Sequence, residues 1–254
     1  MATEKLLLGH VPSVVDVLHI FIFSSTLVIY NAHYLFKKMM PGISDRYDWT
    51  QRHKYWHYIT GISGIFFCTI AFFYLSWSIR WACVVLCILS LGYSFPIFPV
   101  RNNKRLRDVG WVKILLLCSV WTIVTAVLPM LFYLKNPLHY SVEIAIRFVL
   151  LFILCIMFDI RDMQTDAVGA VFTLPNRIGE QRSYKLIYYN LLFFVLLSLI
   201  QYLRYHILLC FLGEVATTIF AYWVIIYTRR HPSDRAYLGL ADGIMLAYAI
   251  LVCI

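Results

Sequence analysis

Eight apolar runs, most of them close to twenty residues long, follow one another along this chain with short polar connectors between them. About twenty apolar residues is the length an α-helix needs to cross the hydrocarbon core of a bilayer. The runs fall at roughly 12–36, 58–79, 81–98, 111–134, 141–161, 185–203, 206–228 and 237–254. The third and the last lie near the lower limit of about 17 residues for a span. No water satisfies backbone groups in lipid, so only helices and closed barrels cross it. A barrel would show short alternating segments, and these runs are continuous. The pattern predicts an all-α, polytopic transmembrane helical bundle of about eight spans. Composition agrees: 61% of the 254 residues are hydrophobic and only 14% are charged, against about a quarter charged in a soluble domain. No repeat, low-complexity tract or linker interrupts the chain, which reads as one domain, 1–254.

The seven cysteines all lie in apolar runs without metal-site spacing, so they read as small packing residues in a reduced setting. The start lacks a basic segment followed by a short apolar core, so no cleavable signal peptide is expected. Charge sets the orientation. The connector after the first span carries Lys37, Lys38, Arg46, Arg52 and Lys54. After the third come Arg101, Lys104, Arg105, Arg107 and Lys113; after the fifth, Arg161, Arg177, Arg182 and Lys185; after the seventh, Arg229, Arg230 and Arg235. Only Lys5, Arg80, Lys135, Arg147 and Arg204 fall on the other side. The positive-inside rule makes the first set cytoplasmic and places both termini outside, in a membrane expected to be a bacterial inner membrane. The net charge of +9 reads as topology plus attraction to anionic lipid, or in part as a means of holding an anionic substrate.

Against this basic face, "FDIRDMQTDAVGAVFTLPNRIG", 158–179, places Asp159, Asp162 and Asp166 at the end of the fifth run. If the helix continues through Asp166, the spacing i, i+3, i+7 puts all three on one face. Like charges on adjacent turns repel, and a cation among them removes the conflict. Oxygen ligands suit Mg2+, which keeps waters and bridges carboxylates to a substrate phosphate. Arg161 and Arg177 are near enough in sequence to contact that phosphate. A solvated acidic helix end, with Arg161 as a local partner, is the bland alternative. "TLPNRIG" is expected to end the polar stretch, with a Leu-Pro break and a closing Gly.

This stretch resembles the second aspartate-rich motif of the UbiA superfamily of membrane prenyltransferases: Asp159, Asp162, Asp166, then Gly169, Thr173, Leu174 and Gly179. "GYSFPIFPVRNNKRLRDVGWVKILLLCSVWT", 92–122, is similar to the family's Tyr-Ser/Thr-x-Pro segment and the basic loop that follows. The resemblance implies a helical bundle, typically of nine spans, that transfers an isoprenyl chain from its diphosphate to an aromatic or other lipophilic acceptor in the membrane. It implies Mg2+ on Asp159, Asp162 and Asp166, with Asp162, Asp166 and Lys104 as catalytic residues. Tyr93, Arg105 and Arg161 would bind substrate beside them. The partners implied are a prenyl diphosphate, the lipophilic acceptor and the bilayer, with no nucleic acid.

The family's first motif, N-D-x-x-D-x-x-x-D, is degenerate here. Asn31 aligns with its Asn, but Ala32, Leu35 and Met39 stand where the aspartates belong, and His33 and Lys37 lie among them. His33 and Lys37 are i, i+4 and share a helical face. Lys37 reads either as a snorkelling interfacial lysine or as positive charge for the diphosphate. His33 reads as an interfacial polar residue, a hydrogen-bond donor or a base. Asn31 lies a turn deeper, where a polar group is costly unless paired, which favours a role in the site. The same alignment implies that the family's first helix is missing; the eleven residues before the first span are too few to supply it, so the protein is naturally short or its start lies upstream. A prenyltransferase is the leading reading. A relative that binds an isoprenoid or lipid phosphate without transferring it is the alternative.

Elsewhere, "YDWTQRHKYWHY", 47–58, reads as an interfacial aromatic belt or a lid. Glu143 has Arg147 four residues on; Glu214 has no evident partner, and Asp242-Gly243 is too isolated to suggest another phosphotransfer family.

Overall fold

The computed structural model describes residues 2–10, 12, 14–36, 45–94, 110–168 and 173–253. The described residues are helical and contain no strand. Helices α1 (Ala2–Leu8), α2 (Val17–Phe36), α3 (Asp45–Arg52), α4 (Lys54–Tyr74) and α5 (Trp77–Ser94) come first. Next are α6 (Gly110–Thr122), α7 (Leu128–Phe132), α8 (Ser141–Arg161), α9 (Met163–Val168) and α10 (Leu174–Ile178). The chain closes with α11 (Glu180–Tyr205), α12 (Leu208–Arg230), α13 (Asp234–Ala236) and α14 (Asp242–Cys253). Wider π turns, Ile123–Val127 and Tyr237–Ala241, join α6 to α7 and α13 to α14.

Among the described residues six helical stretches are long and apolar enough to cross a membrane: α4, α8, α11 and α12, and the two that run through the π turns, α6 into α7 and α13 into α14; two shorter apolar helices, within α2 and α5, complete the eight runs read from sequence. The protein is an integral membrane protein. Its apolar surface fits that setting: Ile62, Ile65, Phe66, Phe67 and Phe73 of α4 all point outward, as side chains do when lipid rather than water is the solvent.

The chain forms two compact units, Ser13–Ser90 and Met1–Pro12 with Leu91–Ile254. In the smaller unit α2 packs along α4. Gly64 permits the close approach: a Cβ there would stand 3.0 Å from Val28 Cγ2 and 3.2 Å from the Ser24 carbonyl. Beside this contact Asn31 is buried, with both ends of its amide engaged. Its Nδ2 donates to the Leu27 carbonyl at 2.7 Å, and its Oδ1 lies 2.7 Å from His57 Nδ1 and 3.1 Å from the Thr60 hydroxyl.

The larger unit is built on α8, the most buried of the spans, with α6 and α11 packed against it and α12 on α14. Ile146, Leu150, Ile153, Ile156 and Met157 of α8 face its core. Gly213 sets the α12–α14 distance, since a Cβ there would lie 2.4 Å from the Leu251 carbonyl oxygen. The segment before the first span, too short to cross a membrane, forms α1 and is buried against α7 and α14. Pro129 cannot donate the backbone bond that the Thr125 carbonyl receives in a regular helix. The Thr3 hydroxyl lies 3.0 Å from that carbonyl and 3.2 Å from Glu143 Oε1, and accepts from Arg147 Nη2 at 3.0 Å. Lys5 donates to the Cys253 carbonyl at 2.8 Å, tying α1 to the end of α14.

Glu143 and Arg147 form the expected i, i+4 pair, 2.8 Å apart, both buried. Arg147 also lies 4.4 Å over the Tyr248 ring. Glu214, for which the sequence offered no partner, accepts from Gln201 Nε2 of the preceding helix at 3.2 Å. This polar layer lies toward the N-terminal end of α8, and the aspartates lie at its other end.

Candidate functional site

The acidic stretch does not continue as one helix. α8 ends at Arg161, Asp162 caps it with φ −88° and ψ 4°, and α9 restarts at Met163. The bonds Asp162 N–H to Phe158 O and Asp166 N–H to Asp162 O keep the chain near a helical path. The outer two aspartates therefore still share a face, and the middle one turns aside. The expectation of three carboxylates on one continuous helical face is corrected to two plus one.

Asp159 and Asp166 converge on a residue the sequence had assigned to the basic connector. Lys113, in the first turn of α6, places its Nζ 2.7 Å from Asp159 Oδ1 and 3.0 Å from Asp166 Oδ2. The contact follows from α6 packing on α8: Gly110 starts the helix, and Lys113 lies just inside it, over the end of α8. Farther into the same interface the Cys118 and Cys155 sulfurs lie 3.5 Å apart. Asp159 is only 4% exposed, and its second oxygen, Oδ2, has no hydrogen-bond partner. Tyr93, near the end of α5, lies close enough to Lys113 to interact with it electrostatically. Tyr93 is thereby a neighbour of Lys113.

Asp162 belongs to Arg161. The guanidinium grips it bidentately, Nε to Oδ1 at 2.7 Å and Nη2 to Oδ2 at 2.9 Å. Arg161 also lies 5.0 Å over the Phe158 ring and 6.0 Å over that of Tyr237. Asp234 and Asp242 are within its electrostatic reach. Asp242, isolated in sequence, is thus a neighbour of the site, brought there across the second π turn. Such turns recur at functional sites.

The closing motif folds as expected. Thr173 precedes α10 in an extended conformation, Pro175 occupies its first turn, and Gly179 ends it at φ +87°, a backbone angle that favours glycine. Asn176 Nδ2 donates to the Met163 carbonyl at 3.3 Å, holding α10 against α9. Arg177, a sequence candidate for phosphate contact, is exposed to solvent.

Asn31 belongs to the smaller unit, paired there as described. Of His33 only the backbone, in α2, is described, and Lys37, Lys104 and Arg105 lie outside the described residues. His57, which the sequence placed in an aromatic belt, proves to be a polar partner inside the α2–α4 contact.

The resemblance implies Mg2+ on these aspartates, an expectation that the donor set can be compared with. Among the described residues no group of three His, Cys, Asp or Glu side chains converges as a metal site. Mg2+ is, however, commonly held by only one or two carboxylates with waters and substrate phosphate. Asp159 and Asp166 converge on one cation position, and the buried Oδ2 of Asp159 adds an unused oxygen. The residues fit a cation at that position, which the Lys113 ammonium holds in this structure.

A scan against protein-family models finds no match, and a search of curated proteins finds none either. Among solved structures, the chain is similar to that of a UbiA homolog from Archaeoglobus fulgidus bound to Cd2+. The TM-score is 0.63 and the sequence identity 13%, over 100% of this chain and 93% of that one. The chain therefore has the UbiA fold.

Proposed function

We propose that this protein transfers an isoprenyl group from a prenyl diphosphate to a lipophilic acceptor, aromatic or otherwise, in the membrane. The observation that carries this reading is the Asp159–Lys113–Asp166 centre beside the Arg161–Asp162 pair, at the end of a buried apolar span. Carboxylates and cations interleaved at a membrane interface are what a diphosphate on an apolar tail requires. The protein of the same fold from Archaeoglobus fulgidus binds a divalent cation, which supports a metal role for the aspartates here.

In this reading Asp159 and Asp166 would hold Mg2+ and Arg161 would face the diphosphate. When bound, the ion supplies charge neutralisation for the departing group. The bond between the allylic carbon and the diphosphate oxygen breaks with its electron pair going to diphosphate. The acceptor then forms a bond to the allylic carbon and releases a proton. The Phe158 and Tyr237 rings, which lie under the Arg161 guanidinium, would hold that cation in place toward the diphosphate. We assign the site to the cytoplasmic face from the Lys/Arg bias of the connectors.

The second reading is an isoprenoid-binding protein without transfer. It is favoured by Ala32, Leu35 and Met39 at the positions of the first motif's aspartates and by an Asn31 already satisfied within its own unit. Purified protein incubated with radiolabelled allylic diphosphates of several lengths, Mg2+ and a membrane extract separates the two. Diphosphate release that Asp162→Asn abolishes supports transfer. Binding without release, across all lengths, would establish the second reading.

A further inference from the structure

We propose that Lys113 is an exchangeable counter-ion: it holds the Asp159–Asp166 position while the site is empty and turns to the substrate's diphosphate when a divalent cation takes those carboxylates. The inference rests on the proposed diphosphate site and goes beyond it by assigning a role to a residue outside both aspartate motifs.

The geometry carries it. One ammonium, 2.7 Å and 3.0 Å from its partners, bridges two carboxylates from two successive helices, the arrangement a bridging metal ion would otherwise take. Both acids and the lysine are largely buried, at 5%, 20% and 15% side-chain exposure. An empty site with two like charges this close is unfavourable, and Lys113 removes that cost. Two features make the hold reversible. A lysine is a point charge on a four-carbon stem and rotates without disturbing its helix. Asp159 also keeps a buried oxygen that Lys113 does not satisfy, so the resident cation leaves part of the ligand set unused. Once released, Lys113 has Tyr93 as a neighbour or the diphosphate itself as a partner. The exchange couples the two arrivals. Lys113 opposes metal binding in the empty site and favours it when a diphosphate is there to receive the ammonium.

The test is metal affinity in the full-length protein, read by Mn2+ electron paramagnetic resonance and Mg2+ competition, with and without farnesyl diphosphate. In wild type the diphosphate should tighten Mn2+ binding tenfold or more. Lys113→Gln should bind Mn2+ at least tenfold more tightly than wild type in the absence of diphosphate, and should bind farnesyl diphosphate more weakly. Lys113→Arg, which keeps a cation, should retain weak metal binding and shows whether loss of charge, rather than loss of folding, is responsible. Asp159→Asn should lose the high-affinity site in every background. Unchanged or weaker Mn2+ binding in a folded Lys113→Gln protein overturns the exchange. So does the absence of Mn2+ binding from both proteins; in that case diphosphate release measured in a chelator still decides whether the chain is a transferase.

Discussion

The Lys113 ammonium lies 2.7 Å from the carboxylate of Asp159, a cross-helix ion pair at the mouth of an apolar bundle. Removing one member of such a pair leaves the other charge buried. Lys113→Met should therefore lower stability by about 3–5 kcal/mol without added metal. The double variant Lys113→Met, Asp159→Asn should cost less than the sum of the two singles, with a coupling of about 1–3 kcal/mol. Thermal unfolding in detergent of the four proteins checks this, and additive losses would mean the pair contributes nothing specific.

The glycines rank by what a methyl group would meet. Gly213→Ala places a Cβ 2.4 Å from a backbone oxygen and should be the most damaging, about 1–3 kcal/mol or more. Gly64→Ala meets a side-chain methyl at 3.0 Å and should cost less. Gly239 has nothing within 4 Å, so Gly239→Ala should be neutral or mildly stabilising, by up to about 1 kcal/mol. Melting temperatures of the three variants give the order directly.

Asn31 is expected to be structural within the smaller unit. Asn31→Ala removes the contact with His57 Nδ1 inside the α2–α4 packing, while the Thr60 hydroxyl keeps the Trp56 carbonyl, and should destabilise the protein by about 1–3 kcal/mol. If Asn31 instead serves the diphosphate, the variant keeps its melting temperature and loses substrate affinity; measuring both separates the two roles.

At the other end of α8, Arg147→Met leaves Glu143 buried without its partner and should cost about 3–5 kcal/mol. Glu143 and Asp159 lie on one helix roughly 24 Å apart at 1.5 Å per residue. The folded Arg147→Met protein should therefore bind farnesyl diphosphate as wild type does, by thermal shift with ligand.

These expectations draw unevenly on the sequence. The spans were legible because a bilayer demands runs of apolar residues, and each run became an apolar helix. The aspartate motif was legible because three acids opposed the local charge trend. Lys113 was not: a lysine at the border of a basic connector reads as topology, and only the packing of α6 on α8 reveals its two carboxylates. The turning aside of Asp162 was hidden because spacing presumes an unbroken helix. α1 was hidden because the residues before the first span are too few to supply a membrane helix and its seven residues find partners only through tertiary packing: those of Thr3 and Lys5 lie more than a hundred residues away. Gln201 and Glu214 meet only because α11 and α12 fold back on each other.

The central claim is that the acidic centre around Lys113 recognises a diphosphate carried on an isoprenoid chain. Calorimetric titration of the purified protein with farnesyl diphosphate and with farnesol, in Mg2+, tests it most directly. The account predicts that the diphosphate binds at least tenfold more tightly than the alcohol, and that Asp159→Asn with Asp166→Asn erases the difference while leaving binding of the alcohol intact. Equal affinities for the two ligands, or a preference that survives loss of both aspartates, would contradict it.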